Sequence, residues 1–66
     1  MHGVDLRTYV DSRVKISLTK DRVVVGVLKG YDSFMNCVLE AATESGESIG
    51  TAIIKGSSLF SVELAE

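Results

Sequence analysis

The segment spanning residues 26–39 constrains the fold more than any other part of the chain. It reads GVLKGYDSFMNCVL, in which two apolar, strand-like runs meet at a short polar loop, residues 32–36. This loop holds a carboxylate, an aromatic ring and an amide close together, and Phe34 is unusual there because turns favour small polar residues. The spacing suits a site where a flat ring stacks on a base and an amide contacts the edge of that base.

Alternation of apolar and polar residues predicts that most of the chain is β-structure. The predicted strands cover residues 13–19, 22–31, 37–43, 48–54 and 58–64. Lys20 and Asp21 supply the first turn, and Gly26 interrupts the second strand, where a bulge or a bend is expected. In the third strand, Cys37, Leu39 and Ala41 are expected to lie on one face, and Cys37 is expected to be a small core residue.

A short amphipathic helix is predicted over about residues 4–12, with Asp5 at its start. A helix of two turns does not persist alone, so Leu6, Tyr9 and Val10 are expected to pack against the rest of the chain. We therefore expect a single, mainly β domain over residues 1–66. It would consist of this helix followed by a strongly bent, five-stranded antiparallel small barrel.

A domain of 66 residues has a marginal core, because it buries only roughly 60% of its unfolded surface. Its single cysteine (Cys37) and single histidine (His2) exclude an internal disulfide and an ordinary structural zinc site. Small domains usually need additional stabilisation of this kind, and oligomerisation is the source that remains. We expect no metal and no cofactor.

The last two predicted strands carry large apolar residues on both faces, more than so small a core accommodates. These residues are Ile49, Ile53, Ile54, Leu59, Phe60, Val62 and Leu64. Exposed apolar edge strands are normally blunted by charge or proline, and the chain has no proline. We expect strands four and five to pair with neighbouring subunits, and head-to-tail pairing closes into a ring if the rotation permits.

Bulk properties exclude several functions. The net charge of −2 disfavours nonspecific nucleic-acid binding but not a few stacking contacts. One histidine and scattered acidic residues do not make a catalytic arrangement, so we expect no enzyme and no small-molecule substrate. With no apolar run of about 20 residues and no signal-peptide pattern, a soluble intracellular protein without membrane contact is expected.

The chain resembles the Sm and Sm-like (Lsm) proteins. The first Sm motif is GVLKGYDSFMNCVL, the second is AIIKGSSLF, and the similarity extends from DLRTYVDSR to the end. The resemblance implies the Sm fold and a non-catalytic subunit of a hetero-heptameric ring. Such rings surround the uridine-rich single-stranded Sm site of spliceosomal small nuclear RNAs, in the nucleus after cytoplasmic assembly. Two alternatives stay open: an Sm-like ring subunit in U6 small nuclear RNA binding or mRNA decay, and a mainly structural, ring-closing subunit.

The resemblance places RNA-binding residues on two loops, Phe34 and Asn36 on one, Lys55 and Gly56 on the other. Phe34 would stack on a base; alternatively it would plug the space between loop and barrel. The amide of Asn36 suits the O4 and N3–H edge of uracil, although asparagine also favours turns through bonds to nearby backbone.

The remaining site residues have supporting or open roles. Many family members have arginine where this chain has Lys55, and lysine keeps the charge but stacks less well. The alternative for Lys55 and Gly56 is a plain turn, with Gly56 at positive φ. Asp32 is expected to orient Asn36 or the Lys55 turn by hydrogen bonding, while contacts of Ser57 and Arg22 with RNA are left open.

Overall fold

The structure, a computed structural model, describes residues 5–65 and contains a five-stranded antiparallel sheet. The strands in chain order are β1 (Arg13–Leu18), β2 (Val23–Tyr31), β3 (Cys37–Glu44), β4 (Glu47–Ile54) and β5 (Leu59–Leu64). Their order across the sheet is β4-β3-β2-β1-β5, so β4 and β5 are its two edges. The predicted mainly β fold is confirmed, and each strand begins and ends within one residue of the predicted bounds.

The sheet bends around a core to which all five strands contribute. The buried residues are Leu6, Val14, Ile16, Leu18, Val24, Leu28, Cys37, Leu39, Ala42, Ile54 and Leu59. Ile54, the last residue of edge strand β4, and Leu59, the first residue of edge strand β5, belong to the same cluster. The sheet therefore curls until its two edges lie over one core. Cys37 is fully buried, as predicted, and burial raises the pKa of its thiol.

The bend depends on a close contact between β2 and β3 at Gly26. The pairing of the two strands shifts register between Val25 and Val27, which confirms the predicted irregularity. A Cβ on Gly26 would lie 3.1 Å from both the Cα of Ala42 and the carbonyl oxygen of Glu40. Glycine at this position lets the two backbones approach each other where the sheet folds over.

The prediction for the core-facing side of β3 was wrong at Ala41. This residue has φ of 52° and is exposed, whereas Ala42 is buried. The register of β3 with β4 shifts between Leu39 and Ala42, so an extra residue interrupts the alternation. The bulge moves the next inward position by one residue, which simple period-two alternation does not anticipate.

The predicted N-terminal helix is a single 3-10 turn, Leu6–Tyr9. Asp5 caps it by accepting a hydrogen bond from the backbone N–H of Arg7 at 3.1 Å. The turn ends because the chain there joins the sheet. Val10 is already extended, and the N–H of Asp11 donates to the carbonyl of Leu28 in β2 at 2.7 Å. Leu6 is buried and Tyr9 packs on the core, while Val10 is exposed. His2 and Val4 lie outside the described residues.

The connection between β1 and β2 is the predicted tight turn. Lys20 and Asp21 both have positive φ, 64° and 62°, and the N–H of Leu18 donates to the carbonyl of Arg22 at 2.7 Å. The connection between β3 and β4 is shorter still and is made by Ser45 and Gly46. In the described part of the chain, no helix is long and apolar enough to cross a membrane.

Candidate nucleic-acid interface

The loop between β2 and β3 is folded so that Phe34 lies at its exposed tip. The N–H of Met35 donates to the carbonyl of Asp32 at 3.0 Å, which closes a turn with Ser33 and Phe34 at its centre. Met35 then takes φ of 63° and packs against the core. Phe34 remains 78% exposed, so the alternative in which it plugs the barrel is wrong.

The carboxylate of Asp32 holds this loop together. Its Oδ1 accepts hydrogen bonds from the backbone N–H groups of Phe34 at 2.9 Å and Asn36 at 3.0 Å. Its Oδ2 accepts a third from Nδ2 of Asn36 at 2.9 Å. The hydrogen bond from the Asn36 side chain, together with those from the backbone, lowers the pKa of Asp32. The expected orienting role of Asp32 towards Asn36 is therefore present in the structure.

Asn36 joins the loop between β2 and β3 to the connection between β4 and β5. Its Oδ1 accepts a hydrogen bond from the backbone N–H of Gly56 at 2.8 Å. The amide therefore bonds backbone on a different strand connection, rather than the nearby backbone as in the turn alternative. Asp32 needs a donor and Gly56 needs an acceptor, so the orientation of the amide is fixed. One N–H of Nδ2 and one lone pair of Oδ1 remain available.

Gly56 begins the 3-10 turn Gly56–Ser58 that follows Lys55. The positive φ considered for Gly56 was wrong, since the glycines with positive φ in the described residues are Gly46 and Gly50. Glycine is required for another reason: a Cβ there would clash with the carbonyl oxygen of Phe34 and lie 3.0 Å from the carbonyl carbon of Met35. The two loops are in contact through backbone atoms.

A shallow cavity of about 410 Å³ lies beside these loops. Its lining residues are Gly30, Tyr31, Asp32, Asn36, Cys37, Val38, Ile53 and Lys55. It thus brings together Asn36, the exposed Lys55 and the ring of Tyr31. Tyr31 was not among the predicted site residues, although an aromatic residue directly before the loop was an available signal. Phe34 does not line this cavity.

The remaining candidates, Ser57 and Arg22, do not line this cavity. Ser57 follows Gly56 in the 3-10 turn and is exposed. Arg22 precedes β2, whereas the loop with Phe34 follows the end of that strand. Its guanidinium instead forms two hydrogen bonds with the carboxylate of Glu44, at 2.8 and 2.9 Å. Within residues 5–65, no cluster of acidic, histidine or cysteine side chains is placed to hold a metal ion.

The bent five-stranded sheet and its two hydrogen-bonded loops define an Sm-type protein. The sequence profile of the LSM domain matches residues 4–64, and the chain belongs to that family. It is 44% identical over 64 residues to small nuclear ribonucleoprotein G of Schizosaccharomyces pombe, covering 89% of this chain and 83% of that protein. It is 38% identical over 66 residues to a probable small nuclear ribonucleoprotein G of Arabidopsis thaliana, covering 94% and 82%.

A heptameric archaeal Sm protein of known structure has the same fold. The two superpose with a TM-score of 0.85 at 24% identity, over 97% of this chain and 100% of that one. At this level of identity the likeness concerns the fold. The resemblance of the sequence to the Sm and Sm-like proteins is confirmed.

Replacing Gly56 by alanine should separate the two loops. The new methyl group would overlap the carbonyl of Phe34, so we expect the free energy of unfolding to fall by about 1–3 kcal/mol, as for overpacked sites. Gly30→Ala is the matched control, because a Cβ there meets nothing within 4 Å. Urea denaturation of both variants measures the difference. Equal stability of the two alanine variants would contradict the loop contact.

Asp32 should stabilise the protein in a pH-dependent way. Its pKa in the folded protein is lowered, so its contribution is complete above the unfolded-state pKa of about 3.9 and is lost as the pH falls through the folded pKa. Asp32→Asn removes an acceptor that faces three N–H groups, and no orientation of the new amide satisfies them all. We expect the stability gap between wild type and Asp32→Asn to be widest near neutral pH and to close in acid.

The control for this measurement is Asp11→Asn. Asp11 is exposed, and among residues 5–65 its side chain pairs with Lys29 alone, at 2.9 Å; an exposed pair of this kind contributes little. Its loss should change denaturant midpoints only slightly at each pH. If the difference in stability between wild type and Asp32→Asn does not change with pH, the carboxylate charge of Asp32 does not hold the loop.

Proposed function

We propose that the chain is a non-catalytic subunit of an Sm-type ring that binds uridine-rich single-stranded RNA. The observation that carries this proposal is the hydrogen-bond chain from Asp32 through Asn36 to Gly56. It makes a single rigid unit of two loops that are 20 residues apart, and it leaves an exposed aromatic ring, an amide edge and a cation on that unit. Membership of the LSM-domain family supports the assignment.

Each side chain has a distinct role in this site. Phe34, 78% exposed, offers a face on which a base stacks. Asn36 offers its free N–H to O4 of uracil and its free lone pair to N3–H. Cytosine carries the opposite pattern, with a donor at N4 and an acceptor at N3, so an amide of fixed orientation favours uracil. Lys55 contributes positive charge to a phosphate or a carbonyl.

The subunit neighbours in the ring are proposed to pair through the edge strands β4 and β5. Both edges lack a partner strand within the described chain, although the core beneath them is shared. The naming of similar proteins as small nuclear ribonucleoprotein G supports a hetero-heptameric ring on the Sm site of spliceosomal RNA. We infer assembly in the cytoplasm and function in pre-mRNA splicing in the nucleus.

Phe34→Ala tests this function in the assembled ring. Loss of one stacking platform removes about 1–3 kcal/mol, so we expect binding of uridine-rich RNA to weaken about 5- to 150-fold while the ring stays intact. Ser33→Ala, in the same exposed loop, is the matched control and should bind as wild type. Fluorescence anisotropy with labelled oligouridine measures both. Unchanged affinity of an intact Phe34→Ala ring would overturn the site.

A further inference from the structure

The outer face of the sheet carries a row of residues beside the two loops. Gly30, Val38 and Ile53 are successive partners across β2, β3 and β4. Val38 lies between the buried Cys37 and Leu39 and is itself 36% exposed, so this row faces away from the core. Gly30 adds no side chain, and a Cβ there would meet nothing within 4 Å. The row therefore has an open end at β2 and an apolar floor at Val38 and Ile53.

Tyr31 and three polar residues surround this row and complete the cavity of about 410 Å³. Tyr31 is 40% exposed, so its ring is accessible at the side of the cavity. The polar residues are Asp32, Asn36 and Lys55. Ligand sites in proteins typically have volumes of roughly 300–1,000 Å³, with a largely apolar and aromatic lining and a few polar groups. The cavity thus has the size and the composition of a site for a small flat group.

The cavity shares two residues with the proposed uracil site but not its aromatic platform. Asn36 and Lys55 line the cavity, whereas Phe34 does not. A base that stacks on Phe34 therefore leaves the ring of Tyr31 free for a second group. Because Asn36 and Lys55 belong to both positions, that second group would be the next one along the same ligand.

We propose that the cavity binds a second nucleotide of the same RNA strand, adjacent to the uracil on Phe34. Its base packs against Tyr31 and Val38, and the phosphate between the two nucleotides lies near Lys55. Single-stranded nucleic acids are commonly held in this way, by aromatic rings that stack on successive bases and by cations along the backbone. The proposal rests on the proposed function and extends it from one nucleotide to two.

The charges around the cavity determine where the phosphate lies. Lys55 is exposed, and among residues 5–65 its ammonium group forms no salt bridge. The hydrogen bond from the side chain of Asn36, with those from the backbone, lowers the pKa of Asp32, so this carboxyl is ionised at neutral pH. A phosphate is repelled by Asp32 and attracted by Lys55. The RNA backbone therefore passes on the Lys55 side, and the base points into the cavity.

The lining of the cavity suits a flat ring of any base. The side chains of Val38 and Ile53 form no hydrogen bonds, and the hydroxyl of Tyr31 both donates and accepts, so no single base is selected. A peptide strand is a poorer occupant. Gly30 and Val38 lie on β2 and β3 inside the sheet, where no edge is free for an added strand.

Removal of the Tyr31 ring tests the second subsite in the assembled ring. Tyr31→Ala should weaken binding of oligouridine about 5- to 150-fold, as for the loss of one stacked base. Gly30→Val should also weaken it, because the new side chain enters open space in the cavity while Tyr31 and Phe34 remain. Val23→Ala is the matched control and should bind as wild type, since Val23 is similarly exposed but begins β2, at the opposite end from Tyr31. Fluorescence anisotropy measures affinity, and native mass spectrometry checks that each ring is intact.

An abasic residue in the RNA identifies the base that Tyr31 contacts. It is moved one nucleotide at a time through a short uridine run, and each RNA is measured with the wild-type, Phe34→Ala and Tyr31→Ala rings. The effect of a variant should disappear where the base that it contacts is already missing, because the two losses are then not additive. We expect the effects of Phe34→Ala and Tyr31→Ala to disappear at neighbouring nucleotides.

Three results would overturn the second subsite. The first is disappearance of both effects at the same nucleotide, which would mean that Tyr31 only supports the contact of Phe34. The second is full RNA affinity of an intact Tyr31→Ala ring. The third is loss of a subunit from both the Tyr31→Ala and the Gly30→Val rings, which would assign the cavity to a protein contact. In each case, weaker binding by Phe34→Ala leaves the proposed function standing, whereas a wild-type ring that does not bind oligouridine overturns both.

Discussion

The close approach of β2 and β3 at Gly26 determines the shape on which the other features depend. A side chain there would press on the backbone of β3, with 3.1 Å between its Cβ and the Cα of Ala42. Without one, the sheet folds over tightly enough for Ile54 and Leu59 to reach a single core. In the described chain, β4 and β5 remain the unpaired edges of this folded sheet.

The loops at the ends of the strands are held by polar groups instead of apolar packing. Asp32 accepts hydrogen bonds from three N–H groups, and the side chain of Asn36 accepts one from the backbone N–H of Gly56. These bonds fix the backbone and the amide orientation while Phe34 remains in solvent. This division suits the proposed binding site, because the supporting residues are already in place and the ring that would meet the ligand is free. The proximity of Ile53 to the same cavity links the site to the β4 edge.

Much of this arrangement was predictable from the sequence. Alternation gave the five strands, and Gly26 marked the irregular position in β2. The resemblance to the Sm proteins implied a link between two loops that are distant in sequence. The bulge at Ala41 was not predictable, because alternation contains no signal for an inserted residue with positive φ. The length of the N-terminal helix was predicted wrongly, because helical spacing carries no information about pairing with the sheet. In the structure, the N–H of Asp11 bonds the carbonyl of Leu28 in β2. Position 56 requires glycine because any larger residue would clash with the loop that carries Phe34. This contact joins residues distant in sequence, so local sequence rules do not predict it.

In the proposed site, one uracil contacts the unit formed by the two loops, through Phe34, Asn36 and Lys55. The most direct measurement is photo-crosslinking of uridine-rich RNA to the assembled ring, followed by mapping of the modified residue by mass spectrometry. We expect a crosslink at Phe34, in the exposed turn closed by Asp32 and Met35. Crosslinks confined to the other subunits, with none in either loop of this chain, would contradict it and favour a purely structural, ring-closing subunit.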